Sequence, residues 1–251
     1  MSAYQRFAEL YDRLTFDVDY EAIAARIDGI FEREEKKPHL VLDLACGTGT
    51  LTRLLAQKGY DMIGVDASDA MLQKAQEKCP SSLLLLQNMQ EFELYGTVDA
   101  IVCMLDSVNY LTEDSDLDHV FHLANNYLNP NGLFIFDINS EYKFRNILAN
   151  HTYTYETDDI FYVWENDFDE ETKLCDFYLT FFEQAEDGRY TRFDEMHTER
   201  MYTCAEIEKA LERQGFTVLA KCDGYTKRLP EEKSERILYV CRNTKPIQQG
   251  F

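Results

Sequence analysis

The chain has 251 residues, 45% of them hydrophobic, enough for one sizeable core plus an insertion or for two small domains, which excludes a disordered or fibrous protein. Its 25 Lys and Arg stand against 46 Asp and Glu, a formal net charge of -21 whose field repels phosphate-rich partners and argues against nucleic acid. The acidity reads first as a solvated surface. Seven scattered cysteines, without a C-x-x-C and without histidine at metal-ligand spacing, read as reduced thiols and give no metal site. Residues 1–10 are polar and mixed in charge, and no apolar run approaches the roughly 20 residues of a membrane span, so a cytoplasmic protein is expected.

In chain order, Tyr20, Ile23, Ala24, Ile27, Ile30 and Phe31 recur at helical spacing and predict an amphipathic helix, ended by Lys36, Lys37 and Pro38. Residues 40–44 form a short apolar run interrupted only by Asp43; Gly47 and Gly49 follow at once, then a helical pattern at Leu51, Leu54 and Leu55. Gly59 sits where a left-handed cap closes that helix, and residues 62–65 read as a second strand ending at Asp66. Ser68 caps a helix through Met71, Leu72 and Ala75 as far as Pro80, after which residues 83–86 and 100–105 are the third and fourth strands. Leu117, Val120, Phe121, Ala124 and Leu128 mark another helix, and Asn129-Pro130-Asn131-Gly132 a turn before a strand over 133–138. Strands alternating with helices imply a parallel sheet.

From about Thr152 to Tyr202 aromatic and β-branched residues dominate, with turns at Asp169-Glu170-Glu171 and Glu186-Asp187-Gly188, which predicts an inserted antiparallel sheet. Thr203 and Glu206 have capping-box spacing ahead of a helix through Ile207, Ala210 and Leu211, ended by Gly215. Residues 216–222 and 237–242 are the last two strands, and residues 244–251 a loose tail.

The most informative stretch is Val41-Leu42-Asp43-Leu44-Ala45-Cys46-Gly47-Thr48-Gly49-Thr50, a carboxylate at a strand end followed by small residues where a ligand approaches backbone. It resembles the first motif of class I S-adenosylmethionine-dependent methyltransferases, an acidic residue before a Gly-x-Gly-x-Gly turn; here Ala45 replaces the first glycine. A dinucleotide site needs a third glycine at position 52, which is Thr52, and a P-loop needs a Gly-Lys-Ser/Thr ending that is missing. Asp66, ending the second strand, is placed to accept both ribose hydroxyls of an adenosyl cofactor, with Ala67 beside it. Asn88 and Met89 follow the third strand where the family often has an acidic residue at the adenine amine; the Asn carbonyl and the Met side chain are the expected contacts.

The resemblance implies a Rossmann-like, doubly wound α/β fold with a mostly parallel seven-stranded sheet. Residues 1–150 and 203–243 are the S-adenosylmethionine-binding domain, and residues 151–202 an inserted antiparallel β subdomain acting as acceptor cap. The segment from Tyr4 to Asp12 resembles the aromatic lid of small-molecule members, with Tyr11 and Tyr20 at the methionine end and Leu105, closing the fourth strand, behind the transferring methyl. Methyl transfer is an in-line displacement that needs positioning more than a triad; His197 is the candidate general base, and Tyr4, Asp137, Asn139, Tyr142 and Arg200 are candidate acceptor contacts. The segment Leu105-Asp106-Ser107-Val108 lacks the nucleobase-methylating signatures, so a small-molecule acceptor is expected. An RNA or protein methyltransferase and a non-catalytic S-adenosylmethionine-binding module are the alternatives.

Overall fold

The computed structural model describes residues 3–157 and 159–244, with side chains from Phe7 onward; the side chain of Tyr4 and, of the expected tail over 244–251, all but Thr244, which is hydrogen-bonded to the Gly215 carbonyl, lie outside the described residues. Two helices, α1 (Ala3–Leu14) and α2 (Tyr20–Arg33), precede the first strand. The alternating part then runs β1 (Leu40–Leu44), α3 (Thr50–Gln57), β2 (Asp61–Asp66), α4 (Asp69–Lys78), β3 (Leu83–Leu86), β4 (Val98–Cys103), α5 (Asp116–Tyr127) and β5 (Leu128–Asn139). A one-turn helix α6 (Glu141–Lys143) runs into a π-turn (Phe144–Leu148). Then come β6 (Thr152–Glu156), β7 (Ile160–Asp169), β8 (Leu174–Gln184) and β9 (Tyr190–Arg200). Helix α7 (Cys204–Arg213), β10 (Phe216–Asp223) and β11 (Arg236–Asn243) close the chain.

The main sheet has seven strands in the order β10-β11-β5-β4-β1-β2-β3, and β6 to β9 form a separate four-stranded antiparallel sheet. This is the parallel sheet that the strand and helix alternation predicts, in the Rossmann-like α/β architecture that the resemblance implies. Strand β11 alone runs antiparallel to its neighbours, β5 and β10. The cause is local: residues 224–235 contain no crossover helix, and a chain that turns back without one pairs antiparallel.

Both faces of the main sheet are covered, so its central strands are apolar on both sides. Side chains alternate between two cores: in β5, Phe134, Phe136 and Ile138 pack towards α5 and α7, while Leu133 and Ile135 pack towards α2 and α3. The capping box at Thr203 and Glu206 forms as its spacing predicts, each side chain satisfying the other's backbone N–H.

Two boundaries differ from the sequence pattern. The expected turn at 129–132 is a bulge inside β5: the register against β4 jumps from Leu128 to Leu133, with Asn131 at φ 62°. Strand β4 ends at Cys103 rather than 105, because Leu105 and Asp106 both take left-handed backbone, φ 59° and 54°.

Candidate active site

A cavity of about 1050 Å3 lies between the carboxyl ends of β1, β2 and β4 and the inner face of the second sheet. Its first wall is the turn after β1. Gly47 has φ 54°, and nothing lies within 4 Å of where a Cβ would stand, so backbone faces open space there. Asp66, at the end of β2, holds this turn: its carboxylate accepts the Gly47 N–H at 2.8 Å and, two residues on, the Ser68 N–H at 2.9 Å. Each oxygen keeps a further lone pair. Burial raises the Asp66 pKa, and those backbone donors oppose the rise.

Asp43 sits deeper, 2% exposed, and accepts the Thr52 hydroxyl at 2.5 Å. Burial pushes its pKa up to about 7, the Thr52 bond works against that, and the charge of Asp66 adds to it. A cation at this wall therefore meets a carboxyl group poised to ionise. Cys46 between them is not reactive, since burial drives its thiol pKa far above the ordinary value.

The second wall is the bend after β4. Asp137, fully buried in β5, grips it from beneath by accepting the N–H groups of Leu105 at 2.7 Å and Asp106 at 3.1 Å. Left-handed backbone at two successive non-glycine residues is costly and persists only where the surroundings enforce it. Arg236, opening β11, joins Asp137 to Asp106, the latter at 2.5 Å. Asp106 is hydrogen-bonded in turn to Glu199 of β9, whose other partner is the Asn139 amide at 3.0 Å; Lys143 donates to Asn139 Oδ1 at 2.9 Å. Burial opposes ionisation of Asp106, yet Arg236 and Lys143 hold its carboxyl below the usual range. Glu199 goes the other way, pushed well up by burial and by the charge of Asp106.

The third wall is aromatic and comes from the second sheet and α1. Tyr162, Trp164 and Phe177 line it, with Tyr11 and Phe7 from α1 packed edge to face at 5.7 Å. His197 lies between Phe7 and Tyr110, at 5.3 and 5.9 Å; burial lowers its pKa. Its Nε2 and the Trp164 Nε1 are buried without a hydrogen-bond partner.

Of the residues singled out in the sequence, Tyr11, Tyr20, Asp43, Ala45, Cys46, Gly47, Asp66, Ala67, Asn88, Met89, Leu105, Asn139 and His197 all line this one cavity. Asn88 is exposed there and its Oδ1 already accepts the Gln90 N–H, while Met89 also packs on the core. Four others lie off the wall. Gly49 is the cap residue of α3, and a Cβ there would meet Ala75 at 2.8 Å, so it serves helix packing. Asp137 lies under the β4 bend, and Tyr142 falls outside the lining on α6. Arg200 turns away to the Thr112 carbonyl and Asp114.

Sequence reading held Asp106 only as part of the segment that closes the fourth strand and missed Glu199, Lys143 and Arg236; separate parts of the chain bring the four together. The available signal was Asp106 next to Leu105 at a strand end, where ligands of open α/β sheets bind.

Comparison with known proteins agrees with this geometry. The profile of the methyltransferase-domain family matches residues 41–132, from β1 through the β5 bulge. The chain is 33% identical to the Bacillus subtilis (strain 168) protein YqeM, named a methyltransferase, over 97% of this chain and 98% of that protein. A dTDP-3-amino-3,6-dideoxy-alpha-D-glucopyranose N,N-dimethyltransferase of Streptomyces fradiae is 31% identical over 51% of each chain. The crystal structure of an S-adenosylmethionine-dependent methyltransferase from Clostridium acetobutylicum superposes with TM-score 0.89 at 36% identity, covering 97% of this chain and all of that one. Likeness along almost the whole length, with the glycine turn and the β2 aspartate facing one cavity, makes the chain a member of the class I S-adenosylmethionine-dependent methyltransferases, an enzyme with S-adenosylmethionine as its cofactor.

Proposed function

We propose that this methyltransferase acts on a small-molecule acceptor held in the same cavity as the cofactor, with the antiparallel sheet over 151–202 forming the acceptor wall. The observation that carries the reading is the continuity of the cavity, from Gly47 and Asp66 on one side to Trp164 and Phe177 on the other. The adenosyl group fits the first side: open space over Gly47 admits it, and the free lone pairs of Asp66 accept the ribose hydroxyls. Met89 packs on the adenine, with the Asn88 carbonyl at its amine. Asp43, Tyr11 and Tyr20 face the methionine end, where a buried carboxyl offsets positive charge.

When bound, S-adenosylmethionine supplies a methyl group on a sulfonium leaving group. The protein's share is to align the acceptor and exclude water. Leu105, held by Asp137, backs the position of transfer, and Asn139 and the unpaired nitrogens of His197 and Trp164 offer the acceptor hydrogen bonds. The net charge of -21 favours a small molecule over nucleic acid, and the Streptomyces fradiae relative, named for an amino-sugar substrate, supports the same class.

The test is binding of S-adenosylhomocysteine by calorimetry, with turnover of labelled cofactor against a metabolite pool. Removing the Asp66 carboxylate deletes hydrogen bonds to a charged acceptor, so Asp66→Ala should weaken binding about tenfold to a hundredfold with the fold intact. An unchanged dissociation constant would remove Asp66 from the site, and absence of methyl transfer to any metabolite fraction would remove the small-molecule reading.

A further inference from the structure

We propose that Asp106 and Glu199 form the proton-accepting pair of a subsite for an amine acceptor, Glu199 taking the proton that an ammonium nitrogen must lose before it can act as a nucleophile. The inference rests on the methyltransferase reading and adds the chemical class of the acceptor. Its foundation is the polar floor of the cavity beneath the aromatic wall.

The floor brings together three carboxyl groups, Asp106, Asp137 and Glu199, and two cations, Arg236 and Lys143. The cations have partners already: Arg236 bridges Asp137 and Asp106, and Lys143 donates to Asn139. Asn139 fixes one Glu199 oxygen, and the Asp106 carboxylate is the other partner of Glu199. With one proton shared by Asp106 and Glu199 the cluster is neutral. Without it one negative charge is unbalanced inside a site where Glu199 is only 3% exposed. An incoming ammonium group balances that charge, whereas an anionic acceptor finds no unengaged cation on this floor.

The walls agree. Tyr162, Trp164 and Phe177 line the same space, where a cation over a ring face gains cation–π attraction. The left-handed bend at Leu105 and Asp106, fixed by Asp137, is strain placed where it aims the Asp106 side chain. The other titratable groups facing Glu199 are Cys175, paired with it across β8, and His197 on its own strand; burial lowers the basicity of the imidazole, so it competes poorly for the proton.

The proton balance is closed. An ammonium enters and the pair's proton leaves to solvent; the ammonium's N–H bond then breaks, its proton passes to a Glu199 oxygen, and the nitrogen keeps the electron pair that forms the new N–C bond as the methyl carbon's bond to the sulfonium sulfur breaks, that electron pair remaining on sulfur. The pair is returned to its singly protonated state.

The test uses the full chain saturated with S-adenosylhomocysteine and two matched probe pairs, benzylamine with benzyl alcohol and glucosamine with glucose. Titration calorimetry in two buffers of different ionisation heat counts protons. At least one amine should bind about tenfold or more tighter than its hydroxyl counterpart and release about one proton on binding. In Glu199→Gln the preference and the released proton should both disappear, with affinity for S-adenosylhomocysteine unchanged. Equal binding within both pairs, no binding by either amine, or amine binding without proton release in the wild type overturns the proposal without need of a variant. Failure of the wild type to bind S-adenosylhomocysteine would instead overturn the methyltransferase site and this pair with it.

Discussion

Ala45 carries left-handed backbone, φ 62°, at the turn position where the methyltransferase motif has its first glycine. A Cβ in that region costs about 1–2 kcal/mol, while glycine adds roughly 0.4–1 kcal/mol of unfolded-state entropy to be lost. Ala45→Gly should therefore raise stability by about 0.5–1 kcal/mol, seen as a melting temperature higher by about 1–4 °C. A lower melting temperature would mean that the Ala45 methyl packs more usefully than its backbone strain costs. The turn was legible in the sequence because Asp43, Gly47 and Asp66 are specified locally, at strand ends next to small residues. Glu199 was not: alone on β9 it is one acid among many, and only the fold brings it to Asp106 and Asn139. Gly49 shows the opposite error, since a glycine that looks ligand-facing by motif is there to admit Ala75 of α4.

Among elements, α1 joins the two halves of the site. Leu10 packs with Ile160, Phe181 and Phe193 of the second sheet, and Phe7 reaches His197. At its other end Asp12 accepts the Thr48 hydroxyl at 2.7 Å and pairs with Lys78 of α4 at 2.5 Å, while Lys78 also bonds Thr48 and Thr50. The helix is thus tied to the glycine turn and to the acceptor wall at once. The Asp12–Lys78 pair is partly exposed, so removing it should cost no more than about 1 kcal/mol of stability. If α1 opens to admit the cofactor, Asp12→Ala should speed S-adenosylhomocysteine dissociation by up to about fivefold, the rate equivalent of that energy. A stopped-flow rate equal to wild type would make α1 a fixed wall. The βαβ rhythm and the aromatic strands of the second sheet were readable from periodicity. The end of β4 was not, because Leu105 looks like one more strand residue until Asp137, from another strand, pulls its N–H into a bend. The β5 bulge misled in the same way: a strong turn signal is absorbed when the strand resumes its pairing beyond the turn in a shifted register.

The whole molecule is strongly acidic, and two effects set its response to pH. The net charge of -21 repels itself, a cost that falls as carboxylates protonate or as salt screens them. Several buried acids, Asp43, Asp66 and Glu199, also have folded pKa values raised by burial, Asp43 from 3.8 to about 7. For such groups the folded state holds more protons than the unfolded one between the two pKa values. Their stabilising contribution is full below the unfolded value and is lost as pH rises through the folded one. Asp28, Asp99, Asp118 and Glu206 act in reverse: paired or hydrogen-bonded, they have lowered folded values, and their contribution is lost only as pH falls below the ordinary carboxylate range. The maximum of stability should lie where these windows meet, at roughly pH 4–5 rather than 8. The melting temperature of the free enzyme should therefore rise as pH is lowered from 8 to 6, and added salt at pH 8 should raise it. Asp43→Asn separates the buried carboxyl from the surface charge, because it should flatten the part of the slope between about pH 4 and 7 and leave the salt effect in place. A melting temperature that peaks at pH 8 or above, or that falls with salt, would mean that ionised surface acids stabilise this fold through pairings stronger than their mutual repulsion.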